Sequence, residues 1–122
     1  MKTDRELLEL AAKAAGIDAT YEDRWGGMLV PTTIEEPDDG VLFWNPRTNS
    51  GDALELATKL HLSIDHNHPA DQSRYVAVER QGCEGCYAPV CCIEDEFEEN
   101  ERIDATRRAI VRAASEIGAA MP

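Results

Sequence analysis

The sequence predicts an α+β fold, a small antiparallel sheet packed with three helices in the order α-β-β-α-β-β-β-α. Three observations predict it. Three segments carry apolar residues at helical spacing, short β-prone runs lie between them, and the length of 122 residues is that of a single domain spanning 1–122. A chain of this size buries roughly two thirds of the surface that its unfolded form exposes, enough for a core without disulfide or metal staples.

The first helix opens on Thr3-Asp4-Arg5-Glu6, a capping box in which the Thr3 hydroxyl accepts from the Glu6 amide. Leu7, Leu10, Ala11 and Ala14 follow at helical spacing, and Gly16 stands where a left-handed C-cap belongs, so the helix covers roughly 4–15. Residues 19–31 are rich in aromatic and β-prone side chains around Gly26-Gly27 and read as a strand or a hairpin. Glu35-Glu36-Pro37-Asp38-Asp39-Gly40 is an acidic turn or loop, and Val41-Leu42-Phe43-Trp44 is a short strand stopped by Asn45-Pro46.

Thr48, Asn49 and Ser50 offer N-caps for a second helix, and Asp52 sits in its first turn, where the helix dipole favours an acid. Ala53, Leu56, Ala57 and Leu60 form the apolar stripe, giving a helix over roughly 51–61. A strand begins at Leu62-Ser63-Ile64, and a loop runs from His66 to Asp71. Residues 74–80 are a strand, 81–85 a turn, and 86–93 the returning strand, which Pro89 confines to an edge or a bulge. Asp104 caps a third helix over about 105–118, with Ala109, Ile110, Ala113 and Ile117 on one face and Gly118 at its end. The last five elements repeat the α-β-β-β-α order of double-stranded-RNA-binding domains. Those domains need a basic surface for phosphates.

This chain is acidic instead. It carries 24 acids against 12 bases, a formal net charge of −12, divided evenly between residues 1–61 and 62–122. Such a field repels phosphate backbones and anionic lipid and attracts basic protein surfaces, which argues against direct nucleic-acid binding and for a partner with a basic face. The densest point is Glu94-Asp95-Glu96-Phe97-Glu98-Glu99-Asn100-Glu101. With the loop acids Glu35, Glu36, Asp38 and Asp39 it forms the candidate contact surface, and Trp25 or Phe97 is the candidate apolar anchor. The start of the chain is charged and lacks the apolar stretch of a signal peptide, and no apolar run approaches the ~20 residues of a membrane span. The expected compartment is the cytoplasm, where cysteines are thiols or metal ligands.

Cys83-Glu84-Gly85-Cys86 with Cys91-Cys92 is the sharpest chemical candidate, because four thiolates can hold zinc tetrahedrally. Adjacent cysteines on a strand point to opposite faces, so Cys91 and Cys92 reach one metal only across a bulge. His66 and His68 are alternative ligands to Cys83 and Cys86. The competing reading makes Cys91 or Cys92 core filler and leaves the histidines solvated. Arg107, Arg108 and Arg112 are candidate phosphate ligands, or else neutralise the carboxylates before them. Phosphate loops, Gly-x-Ser-x-Gly and His-Glu-x-x-His are missing, and the expectation is a non-enzyme with no required cofactor.

Three stretches carry a resemblance: the Leu-Leu-Glu-Leu-Ala-Ala-Lys-Ala-Ala-Gly segment of residues 7–16, residues 43–54, and residues 105–114. Together they resemble small accessory proteins of temperate bacteriophages and prophages, a family largely of unknown function that brings no catalytic residues with it. The resemblance implies an inhibitor of a host bacterial defence factor, of the anti-CRISPR kind, and with the acidity and the missing enzyme motifs it gives a non-enzymatic interaction protein expected to act on a basic surface in the host cytoplasm. The alternatives are a zinc module built on the 83–92 hairpin and a binder of a phosphorylated nucleotide signal.

Overall fold

The capping box forms the first helix as the sequence predicts. The Thr3 hydroxyl accepts from Glu6 N–H at 3.2 Å, α1 spans Asp4–Ala15, and Gly16 closes it in the left-handed region with φ 69°. The computed structural model describes residues 2–24, 27–31, 41–85 and 88–122. Beyond α1 it contains β1 (Thr20–Glu22), β2 (Gly27–Pro31), β3 (Val41–Trp44), α2 (Ser50–Lys59), β4 (Ser63–His66), β5 (Tyr75–Arg80) and β6 (Val90–Asp95). A 3-10 turn (Glu99–Glu101) and α3 (Arg102–Ala120) complete it.

The α+β class holds, with two differences in arrangement. The 19–31 segment resolves into two strands, so three strands precede α2. The strands also form two antiparallel meanders, β1-β2-β3 and β4-β5-β6, where one sheet is expected. The reason is that each meander pairs only with itself while the helices fill the space between. α1 packs on β1 and β2, α3 packs on β5 and β6, and α1 and α3 pack on each other.

That helix pair forms the centre of the core. Ala11, Ala12 and Ala15 of α1 and Ala113, Ala114 and Gly118 of α3 are all buried, and side chains this small let two backbones approach closely. A Cβ placed on Gly118 would lie 2.0 Å from the Leu10 carbonyl oxygen. Gly118 therefore does not end the helix, as expected from sequence, but sits inside it as the point of closest approach, and α3 continues to Ala120.

The start of α3 also differs. The helix begins at Arg102, so Asp104 lies in its first turn and not at its cap. Glu98 and Glu101 supply the capping box of the preceding 3-10 turn, with Glu101 Oε1 accepting from Glu98 N–H at 3.0 Å. β6 starts at Val90, immediately after Pro89, and extends through Asp95, carrying the first two acids of the run into the sheet. For α2, Asn49 caps by accepting from Asp52 N–H at 2.9 Å.

Candidate interaction surface

Strand register sorts the acidic run. Residues of β6 alternate between faces, so Glu94 follows buried Cys92 onto the face covered by α3. There its carboxylate accepts from both Arg108 and Arg112. The run's first acid is thus a structural ion-pair hub and not a free surface charge. Phe97 is also turned inward, 7% exposed, with the Arg102 guanidinium 5.1 Å from its ring centroid. It belongs to the core and is not an exposed anchor, because burying a phenyl ring removes a large apolar area from water.

Asp95, Glu96, Glu98, Glu99 and Glu101 are exposed, on one shoulder between the end of β6 and the start of α3. Acids at a helix N-terminus face the positive end of the helix dipole, which is one local reason for their concentration here. Glu99 accepts from Arg102 Nε and Nη2 at 2.7 and 2.8 Å, and this hydrogen bonding, against a smaller desolvation effect, holds its carboxyl below the usual carboxylate range.

Arg102 joins that shoulder to the sheet. Besides Glu99 it donates to the Tyr75 carbonyl at 3.2 Å and to Asn67 Oδ1 at 2.9 Å, and its Nη1 lies 3.1 Å from His66 Nδ1. Asn67 is buried and donates to the Ser73 carbonyl at 2.8 Å, closing the β4–β5 loop. A planar guanidinium with five donors suits such a junction.

The remaining arginines of α3 are engaged as well. Asp104 accepts from Arg47 at 2.6 Å and from Arg108 at 3.1 Å, and Arg107 donates to Ser50 Oγ at 2.8 Å and to the Arg47 carbonyl at 3.1 Å. The Arg47 hydrogen bond is the largest influence keeping the Asp104 carboxyl below its ordinary value. Arg107, Arg108 and Arg112 thus bind carboxylates, hydroxyls and carbonyls of their own fold.

Next to the shoulder lies an apolar groove of about 580 Å³. Its origin is in the second sheet. Ile64 and His66 of β4 stand opposite Val78 and Val76 on the face that carries the core, but α3 packs mainly on β5 and β6. Val76 and Val78 are fully buried, whereas Ile64 is 37% exposed on the uncovered strip. α2 contributes Ala53 and Leu54 to one wall, and α3 contributes Ile103, Thr106 and Ile110 to the other. Leu54 and Ile103 are 62% and 66% exposed. Glu99 and Arg102 line the groove too, so groove and acidic shoulder are continuous.

The cysteine and histidine candidates separate. Cys91 is exposed and Cys92 buried, as alternation along a strand requires. Burial, with a smaller contribution from Glu116, pushes the Cys92 thiol up to about 11. His66 ends β4 and His68 follows it, at the Tyr75 end of β5, while Cys83 follows the other end of β5. The six-residue β5 separates them by about 17 Å. These histidines therefore cannot complete a site with Cys83. Among the described residues no group of three or more His, Cys, Asp or Glu is arranged to hold a metal ion. Cys86, Trp25, Glu35, Glu36, Asp38 and Asp39 lie outside the described residues.

Among the described residues no helix is long and apolar enough to cross a membrane. Comparison with protein-family models, with curated proteins and with solved structures finds no match to this chain.

Sequence reasoning did not single out Arg102 or the groove. Signals existed for both. Glu99 and Arg102 have the i, i+3 spacing of a helical ion pair, and Leu54 and Ile103 are apolar residues that fall off the buried stripes of α2 and α3.

Proposed function

We propose that the protein is a non-enzymatic interaction protein that docks on a basic protein surface, acting as an inhibitor of a host bacterial factor in the manner of the phage accessory proteins its helical segments resemble. A nucleic-acid-binding surface of a defence complex is the kind of target that fits. The observation that carries this reading is the shoulder of exposed carboxylates, Asp95, Glu96, Glu98, Glu99 and Glu101, on a chain of net charge −12. Complementary charge speeds encounter and steers the choice of partner. The adjoining groove adds apolar area of the type that holds a complex together once formed.

The test is capture from a bacterial lysate by the immobilised protein, followed by binding kinetics with the captured partner. The comparison variant carries Asp95→Asn, Glu96→Gln, Glu98→Gln and Glu101→Gln, and leaves Glu94 in place because it pairs with two arginines of the core-facing side. Each exposed contact is worth less than about 1 kcal/mol, so the four together lower affinity by up to roughly a hundredfold, mostly through slower association. A variant that captures the same partner at the same rate and with the same salt dependence refutes the reading. Sub-micromolar binding of the parent protein to random duplex DNA would refute it as well.

A further inference from the structure

We infer that the groove between α2, α3 and β4 receives the apolar face of a basic amphipathic helix carried by the partner, an inference that rests on the acidic-docking reading above. Two features of the site select this occupant. The first is shape. The floor is the strip of sheet left bare beside α3, the position where a further helix completes a layer packed on a sheet. Leu54, Ile64, Ile103 and Ile110 present apolar contacts from three different elements along that strip. A helix with anchors at i, i+3, i+4 and i+7 offers side chains to such a set from one face.

The second feature is charge. The cations lining the groove are already held, Arg102 by Glu99 at 2.7 Å and Arg107 by Asp104 at 3.6 Å. At its Glu99 end the groove borders the segment that carries Glu98 and Glu101, exposed chain neighbours of Glu99, with Arg74 reaching Glu98 at 4.0 Å and Glu99 at 3.6 Å from the side. A helix seated on the apolar floor therefore places residues flanking its apolar stripe against carboxylates, and Lys or Arg at those positions complement them. An acidic or neutral helix gains nothing from the shoulder. An extended strand added along β4 engages the strand edge and leaves the helical walls of the groove unfilled.

The probe is a synthetic peptide of leucine and lysine with leucines at helical spacing, read by fluorescence anisotropy and by backbone amide shifts of the intact protein. A peptide of the same composition with strictly alternating leucine and lysine is the strand control. The helical peptide is expected to bind more tightly than the alternating one and to shift amides in 50–54, 64–66 and 103–110. Leu54→Ser with Ile103→Ser is expected to weaken it by about tenfold or more, about 1.4 kcal/mol or more, with an unchanged circular dichroism spectrum because both side chains are exposed. Equal binding of the alternating peptide, or unchanged binding by the groove variant, overturns the inference. If the Asp95→Asn, Glu96→Gln, Glu98→Gln, Glu101→Gln variant loses binding while the groove variant keeps it, the helix-in-groove inference fails and acidic docking stands. If the charge variant binds as the parent does, acidic docking fails and takes the basic character of the helix with it.

Discussion

Replacing Gly118 by alanine sets two effects of opposite sign against each other. Taken alone, helix propensity favours alanine over glycine in a helix interior by about 1 kcal/mol. At this position the added methyl would stand 2.0 Å from the Leu10 carbonyl oxygen and 2.8 Å from its carbon, both backbone atoms of α1. Ordinary contact begins near 3.4 Å, so α1 and α3 must separate by more than an ångström along their shared seam. Overpacking costs roughly 1–3 kcal/mol, and a rigid backbone obstacle belongs at the upper end. The net expectation is a loss of about 2 kcal/mol, which lowers the melting temperature by roughly 6–12 °C for a domain of this size. Thermal denaturation followed by circular dichroism measures it. Gly16→Ala is the companion variant. There φ is 69° and nothing lies within 4 Å, so it loses about 1 kcal/mol to backbone strain without any clash. An unchanged or raised melting temperature for Gly118→Ala would show that the two helices do not meet as closely as described.

Arg102→Ala removes hydrogen bonds to Glu99, Asn67 and the Tyr75 carbonyl together with the contact to Phe97, so a lower midpoint in urea denaturation is expected, and Arg102→Lys recovers only a minor part because an ammonium cannot reproduce the fork. Asp104 titrates below its ordinary value in the fold, so its contribution is present above the unfolded value near ~3.9 and is lost as pH falls through the lower folded one. The Asp104→Asn variant is accordingly less stable than the parent at pH 7, and the difference narrows when both are unfolded in urea at progressively lower pH in the acid range. Cys92, buried and with its thiol pushed up to about 11, is expected to resist alkylation at pH 8 in the native protein while Cys83 and Cys91 react, read by mass spectrometry of digested peptides.

The parts legible in the sequence were those fixed by neighbours in the chain. Thr3, Glu6 and Gly16 bound α1 through contacts within its own turns, and Asn49 with Asp52 start α2 the same way. Pro89 pointed to the edge position of its strand but not to its start, since the strand expected over 86–93 begins only at Val90, after a residue that has no N–H to donate. The start of α3 was misplaced because its first residue, Arg102, is fixed by groups on β5 and the β4–β5 loop that no local window contains. The acidic run showed its sign but not its orientation. Glu94 extends the strand inward because Arg108 and Arg112 reach it from across the core, and Phe97 turns inward under Arg102. The groove was hidden for a similar reason, since only the placement of α3 over β5 and β6 leaves Ile64 bare.

The pairing of α1 with α3 also orders the birth of the fold. Each meander joins strands that follow one another in the chain, so both sheets can assemble from nearby pieces. The central seam cannot. Joining the end of α1 at Ala15 to the start of α3 at Arg102 closes a loop of roughly 86 residues, an entropic cost of about 4 kcal/mol by the logarithmic loop law. During synthesis Leu8, Ala11 and Ala12 therefore wait without their partner until residues 102–120 have left the ribosome. The apolar stripe of α1 is the surface a chaperone would meet first, and the closing of the seam by α3 is the step that withdraws it.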